Sequence, residues 1–371
     1  MRIGPRMSDP CERRTGDQRR PSGNRNRNRR LPSGRSPTGR KRMRVMGLAA
    51  GLCLALAMAG GTAQAAPDTS CAGKTFVFFP GGAEGDSFAS IVYSGAKLAA
   101  EQTGCRVDYV WSDWNPQKMV QQFSEAIARK PTGISIMGHP GEAALGPLVD
   151  QARQAGILVT TSNVDLPNKE AQYKGDGLGY VGAKLYGAGQ ALGEGAIKAC
   201  GLKSGDTVFL WGLLGQEGRG QRTKGVQDAL EKAGLKVDYL EISDAINGDA
   251  AQGIPVFSSF VASHPDVKAV ITDHGALTAT IPAYIQASGK KPGEICGAGF
   301  DLSAATAKAI EDGAVSVVLD QQPFLQGYLP IIQLYLTSKF GFAGMDIDTG
   351  AALITKDNIA AVAPLAAEGI R

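Results

Sequence analysis

The chain has 371 residues, 43% of them hydrophobic and 20% charged, enough to bury a large core and to divide into two lobes. Its formal net charge of +4 does not describe the body of the protein, because residues 1–44 hold 15 of the 39 Lys and Arg and 3 of the 35 Asp and Glu. The remainder carries 24 basic against 32 acidic side chains, so a nucleic-acid-binding surface is not what the composition supports.

The basic stretch RRTGDQRRPSGNRNRNRRLPSGRSPTGRKR runs into MGLAAGLCLALAMAGGTAQAAPD. That apolar segment is short for a membrane span and ends in the small residues Ala63-Gln64-Ala65 before Ala66-Pro67, the pattern of a cleaved secretory signal over residues 1–66. The Arg-rich part reads either as a long basic region of that signal or as sequence upstream of a true start at Met43. A lipid anchor needs a cysteine directly after a small-residue motif; Cys71 follows Asp68-Thr69-Ser70 and Cys53 lies inside the apolar run, so a soluble, periplasmic protein is expected.

Export leaves four cysteines, Cys71, Cys105, Cys200 and Cys296, without a C-x-x-C spacing, which favours disulfides over metal or catalytic use. Cys71 and Cys105 each stand just before a strand; if those strands are parallel neighbours the two meet at one sheet edge. A Cys200–Cys296 pair is the second expectation.

From Thr75 the pattern alternates. TFVFFP reads as a buried strand, Phe88 to Gln102 as a helix, Val107–Trp111 as a strand, and Pro116 opens a helix to Lys130. Gly133–Met137 and Ile157–Thr161 are further strands flanking a helix at Ala143–Ala155. The cycle restarts near Tyr180-Val181, with helices at Leu185–Cys200, Gln221–Ala233 and Val256–Ser263 between strands at Thr207–Trp211, Val237–Ile242 and Val270–Thr272. A short apolar run then ends at Gly299-Phe300-Asp301, Ser303 is placed to cap a helix, Val315–Leu319 ends at Asp320-Gln321-Gln322, and Pro323 starts a new element. Asp346 and Asp348 read as loop residues. Alternation of this kind implies right-handed crossovers and doubly wound α/β sheets, too many strands for one sheet and therefore two lobes.

In such sheets the carboxyl ends of the strands line the ligand crevice. Those ends carry Asp86 and Phe88 in the first turn, Trp114 after the second strand, His139 after the third, Asn163 after the fourth, Arg219 before a helix, Asp273 and His274, then Asp301 and Gln321. Asp86 suits a neutral hydroxyl and Phe88 an apolar ring face, and an indole offers a flat face to the C–H side of a sugar. Asp301 has the alternative task of capping the following helix. Arg219 can project a planar fork of donors from its turn, whereas Arg222 falls on the helix. The glycine turn at 81–85 lacks the G-x-G-x-x-G spacing and carries Glu84 and Asp86 where an anion would sit, which counts against phosphate. The three histidines, at 139, 264 and 274, share no ligand spacing, and no nucleophile-plus-base signature is present, so neither metal, cofactor nor catalysis is expected.

These residues, in FFPGGAEGDSF, GILVTTSN, WGLLGQEGRGQRTKGV, AVITDHGALTAT, GAGFD and VVLDQQP, resemble the periplasmic sugar-binding proteins of ABC importers, of the ribose- and galactose-binding type. The resemblance covers nearly the whole mature chain. It implies two Rossmann-like doubly wound parallel-sheet lobes joined by a three-segment hinge, residues 71–180 with 323–347 and residues 181–322 with 348–371, closing on ligand. Carried over by position, it points to Asp86, Phe88, Asn163, Arg219, Asp273 or His274, Asp301 and Gln321. Asn163-Val164 stands where many ribose-type members have an Asp-Arg pair, so one charged clamp is missing.

The expected function is capture of a monosaccharide or polyol by a monomeric protein that delivers it to a membrane permease, with no nucleic acid as partner. The alternatives are an exported binding protein for a non-sugar signal and an NAD-dependent oxidoreductase using the 81–85 turn and Asp113. A sugar-responsive transcription regulator would need a DNA-binding module where the signal stands.

Overall fold

The computed structural model describes residues 70–350 and 352–371; the signal read at residues 1–66 lies outside them. Short runs of β-branched and aromatic residues become strands because each can be covered by helices on both faces, and they sort into two sheets. The first holds β1 (Thr75–Phe78), β2 (Arg106–Tyr109), β3 (Gly133–Met137), β4 (Leu158–Ser162), β5 (Tyr180–Gly182) and a late strand, β11 (Asp346–Asp348). Its order is β11-β5-β4-β3-β1-β2 and all its neighbours are parallel. Helices α1 (Ser87–Thr103), α2 (Pro116–Ala128), α3 (Glu142–Gln154) and α4 (Pro167–Tyr173) connect its strands, and α11 (Pro323–Phe340) returns to it.

The second sheet repeats the plan. Its strands are β6 (Thr207–Gly212), β7 (Lys236–Glu241), β8 (Ala269–Thr272), β9 (Cys296–Phe300), β10 (Val315–Asp320) and β12 (Ala352–Thr355), in the order β12-β10-β9-β8-β6-β7. Around it lie α5 (Leu185–Cys200), α6 (Gly220–Lys232), α7 (Asp244–Gly248), α8 (Ile254–Ser263), α9 (Gly275–Ala287), α10 (Ala304–Glu311) and α12 (Ile359–Ala367). The doubly wound α/β expectation holds, with two departures: β12 runs antiparallel to β10, and Tyr180-Val181, read as the restart of the cycle, pairs with β4 and β11 in the first sheet. Asp346 and Asp348, read as loop residues, stand in β11 with Ile347 between them, a strand too short to show an alternating pattern.

In each sheet the first strand is flanked by the second on one side and the third on the other, so the winding direction reverses there and opens a crevice at the carboxyl ends. The chain passes between the sheets three times, at residues 183–184, at 321–322 and between Asp348 and Ala352. Both cystine bridges form. Cys71–Cys105, with Cα atoms 4.8 Å apart, joins the residues preceding the parallel pair β1 and β2. Cys200–Cys296, at 5.8 Å, ties the end of α5 to the start of β9. Among the described residues no helix is long and apolar enough to cross a membrane.

Each lobe has one helix pair in near backbone contact. A methyl on Gly327 of α11 would overlap the Val92 carbonyl oxygen of α1, and one on Gly189 of α5 would overlap the Arg222 carbonyl oxygen of α6. The second contact positions the first turn of α6, which carries Arg222. Gly187, two residues earlier on α5, has nothing within 4 Å of the same added methyl. Alanine at these two positions should therefore act with opposite sign in urea unfolding: Gly187→Ala should add about 0.5–1 kcal/mol by restricting the unfolded chain, and Gly189→Ala should remove about 1–3 kcal/mol through overpacking.

Candidate functional site

The first-lobe wall of the crevice is aromatic. The turn after β1 brings Asp86 to the N-cap of α1, where Oδ1 accepts from the backbone N–H of Phe88 at 3.0 Å and of Ala89 at 2.7 Å. Its other oxygen accepts from the Trp114 indole N–H at 3.1 Å. Both Asp86 oxygens thus hold protein donors, and the carboxylate expected to meet a hydroxyl directly also fixes the indole. The glycine turn makes room for that ring: a methyl on Gly81 would run into the Trp114 six-membered ring. The Trp114 ring stands 5.9 Å from Phe88 and 5.0 Å from His139, giving one continuous ring surface. Trp111 instead packs on Tyr93.

The second-lobe wall is charged and buried. Arg219 caps α6 and Arg222 lies in its first turn, and both side chains converge on Asp273 after β8. Arg219 Nη2 is 3.7 Å from Asp273 Oδ1, Arg222 Nε is 3.5 Å from Oδ2, and His274 Nδ1 lies 2.7 Å from Oδ1. Burial alone would push the Asp273 carboxyl up, but Arg222 and Arg219 outweigh it and hold it well below the usual carboxylate range. Burial, and then Arg222, bring Arg219 down to about 10. Burial lowers both His139 and His274, and the two arginines lower them further, so both imidazoles are neutral at neutral pH.

Asp301, at the end of β9, does not cap the next helix; Ser303 does, accepting from Thr306 N at 3.2 Å. Asp301 Oδ2 instead accepts from Gly275 N at the start of α9, at 2.9 Å, and Oδ1 accepts from Gln321 Nε2 at 2.7 Å. Burial pushes its carboxyl up to about 6 against the pull of Arg222 and both hydrogen bonds.

These walls line a narrow cleft that opens to solvent. Asp86, Phe88, Trp114, His139, Asn163, Arg219, His274, Asp301 and Gln321 line it; Asp273 stands behind, gripping the arginines and His274. Arg222, Asn247 and Ser87 also line it. Arg222 was discounted as helical, yet side chains in a first helical turn lean toward the N-terminus and so toward the crevice, a signal present in the sequence. Asn247, from α7, carries no such signal. Four polar atoms of the lining residues are buried without a partner: His139 Nδ1, Arg219 Nε, His274 Nε2 and Gln321 Oε1. Backbone strain gathers at the same rim, with Trp114, Asn163 and Asp301 at φ of 54°, 61° and 72°. No group of three His, Cys, Asp or Glu side chains that could hold a metal ion occurs among the described residues.

Residues 76–339 match the family model of the periplasmic binding protein domain. The xylose/arabinose-binding protein of Sulfolobus acidocaldarius is 31% identical over 252 residues, 65% of this chain and 61% of that protein. The D-ribose/D-allose-binding protein of Pseudomonas aeruginosa is 30% identical over 48% of this chain and 54% of that protein. The chain thus spans about half to three fifths of these relatives. Among solved structures, a carbohydrate transporter protein from Acidothermus cellulolyticus in complex with myo-inositol superposes with a TM-score of 0.69 at 25% identity, over 80% of this chain and 99% of that one.

The Asp301 carboxyl binds its proton more tightly in the fold than in the unfolded chain, so its contribution is a stability loss as pH rises from about 4 to about 6. Measured by urea unfolding across that window, the wild type should lose about 2–3 kcal/mol more than Asp301→Asn does. Parallel pH profiles for the two proteins would contradict the assignment.

Proposed function

Because the chain belongs to the periplasmic binding protein family, we propose that it is the solute-binding component of an ABC importer, holding a neutral monosaccharide or polyol between its lobes and delivering it to a membrane permease. The observation that carries this reading is the pairing of the Phe88, Trp114 and His139 ring wall with four unpartnered buried polar atoms, three of them on the second-lobe side and His139 Nδ1 on the ring wall itself. Sugars and cyclic polyols offer an apolar C–H face to the first and hydroxyls, which both donate and accept, to the second. Two buried arginines facing Asp273, Asp86 and Asp301 leave no surplus positive charge to attract an anionic ligand. Each unpartnered group costs about 1–3 kcal/mol until the ligand meets it, so a ligand lacking one hydroxyl is rejected strongly.

Export through the leader as a soluble monomer, with the three inter-sheet passages as the hinge, completes the reading. A clip between the lobes supports hinge closure. Gly141 caps α3 without a side chain, and Glu217, in the turn that presents Arg219, supplies the missing carboxylate across the crevice: Oε1 accepts from Glu142 N at 3.1 Å and Ala143 N at 3.5 Å.

A thermal-shift screen of pentoses, hexoses, myo-inositol and NAD tests the function. A ligand at 100 times its Kd adds about 2.7 kcal/mol of stability, and one sugar or polyol should stand out; a response to NAD alone would refute the proposal. For the clip, Glu217→Ala should weaken the bound, closed form by about 1 kcal/mol, seen as roughly fivefold weaker binding by calorimetry with a larger radius of gyration by X-ray scattering.

A further inference from the structure

Helix α11 is largely apolar, yet its first turns carry a carboxamide, Gln326, with no exposed surface. A buried amide needs partners for both N–H groups and its oxygen, and Gln326 finds them on three parts of the chain. Its Nε2 donates to the Gln321 carbonyl oxygen at 3.1 Å and to Thr349 Oγ1 at 3.1 Å, and its Oε1 accepts from Asn163 Nδ2 at 2.9 Å. Gln321 stands at the second passage between the sheets and Thr349 at the third. Gln322, at φ 54°, adds a bond from its Nε2 to the Thr349 carbonyl oxygen at 2.9 Å. Asn163 lies ahead of the first passage, where the Tyr180 hydroxyl reaches the carbonyl oxygens of Asn163 and Ala183.

The direction of these bonds is settled by a group that has no choice. A backbone carbonyl only accepts, so the Gln326 atom facing Gln321 is the nitrogen, and the atom facing Asn163 is the oxygen. The Asn163 atom opposite that oxygen must then be the amide nitrogen. What Asn163 turns to the cavity is its Oδ1, which no donor of the described residues reaches.

We infer that Gln326 is a specificity-determining positioning residue: it locks the Asn163 carboxamide so that the cavity presents a fixed acceptor there, and the ligand must bring a hydroxyl hydrogen to it. The inference deepens the proposed function and rests on that reading. Two neighbours are locked the same way. Gln321 spends its Nε2 on Asp301, leaving Oε1, and His274, neutral, gives its Nδ1 hydrogen to Asp273, leaving the Nε2 lone pair. Opposite these acceptors, Arg219 and Arg222 only donate. The ligand class is therefore a polyol with free hydroxyls along one edge; at that edge an ether, a keto oxygen or a fluorine cannot replace them.

The test uses myo-inositol, D-ribose, D-xylose and L-arabinose, then deoxyfluoro analogues of the tightest binder, one hydroxyl at a time, in calorimetry on wild type, Gln326→Glu and Gln326→Leu. Fluorine fills the hydroxyl's place but cannot donate. In the wild type at least one analogue should bind about 100-fold or more weakly. Gln326→Glu, held protonated by burial so that its hydroxyl donates to the Gln321 carbonyl oxygen, keeps an acceptor opposite Asn163 Nδ2 and should keep that penalty. Gln326→Leu frees the carboxamide to turn its nitrogen to the fluorine, and the penalty should fall to about tenfold or less. A wild type with no such position, or two variants that lose affinity with the pattern of penalties unchanged, overturns the inference, since a purely structural role predicts the latter.

A ligand-free readout keeps the two readings apart. Exchange of the Asn163 side-chain amide hydrogens, followed by NMR, should be slow in the wild type and in Gln326→Glu and about tenfold faster in Gln326→Leu. Equal exchange in all three overturns the locking even if sugars bind. Slow exchange in the wild type with no polyol bound would sink the proposed function and leave the locking standing.

Discussion

The second-lobe wall depends on one carboxylate. Moving a charged group out of water costs several kcal/mol, and a guanidinium survives burial only with a partner. Arg219 and Arg222 are 4% and 2% exposed, and Asp273, 2% exposed, lies between them. Asp273 also takes the His274 Nδ1 hydrogen, which fixes the tautomer and leaves Nε2 as an acceptor facing the cavity. Two fixed donors and one fixed acceptor are thus set by a residue that does not itself line the cavity. The arrangement is left incomplete: Arg219 Nε and His274 Nε2 have no protein partner, so the buried groups keep directed bonding capacity for an incoming molecule.

The two lobes share a topology but divide the chemistry. In both, the winding reverses at the first strand, and the segments after β1–β4 of one sheet and after β6–β10 of the other reach the crevice. The first lobe fills its positions with rings, held in place by Asp86 through the indole N–H and by the space that Gly81 leaves. The second fills the equivalent positions with charges and amides. A flat apolar face opposite a row of directed polar groups suits a ring that is apolar on its faces and polar along its rim. Neither wall would hold such a molecule alone, since the apolar face gives no orientation and the polar row, open to water, gives little net attraction.

How far the sequence could be read followed from how local each cause is. Strand and helix alternation is written in short stretches, and the strand ends follow directly, which is why Asp301, Gln321, Asn163 and His139 could be placed at one crevice before any coordinates. The task of Asp86 could not be read, because its second oxygen is taken by an indole 28 residues away. Arg222 sits on a helix, and only the lean of a first-turn side chain toward the N-terminus brings it to the crevice. β11 and β12 are three and four residues long and owe their place to neighbours far along the chain. Gln326 looks like an ordinary polar residue on a helix until Gln321, Thr349 and Asn163 are brought to it.

Affinity and selectivity are carried by different atoms in this arrangement. A ligand shifts a hinge equilibrium only by its differential affinity for the two forms. On the proposed function, the Glu217 bonds to α3 touch no cavity-lining group, so they would strengthen binding of every ligand by the same factor and distinguish none. The unpartnered atoms act in the opposite sense: each penalises closure until the right group meets it, and only a ligand that meets all of them recovers the cost. Gln326 belongs to both systems at once. Through Gln321 and Thr349 it joins two of the three passages, and through Asn163 it reaches the cavity, so closure of the lobes and orientation of a ligand-facing acceptor draw on the same buried amide.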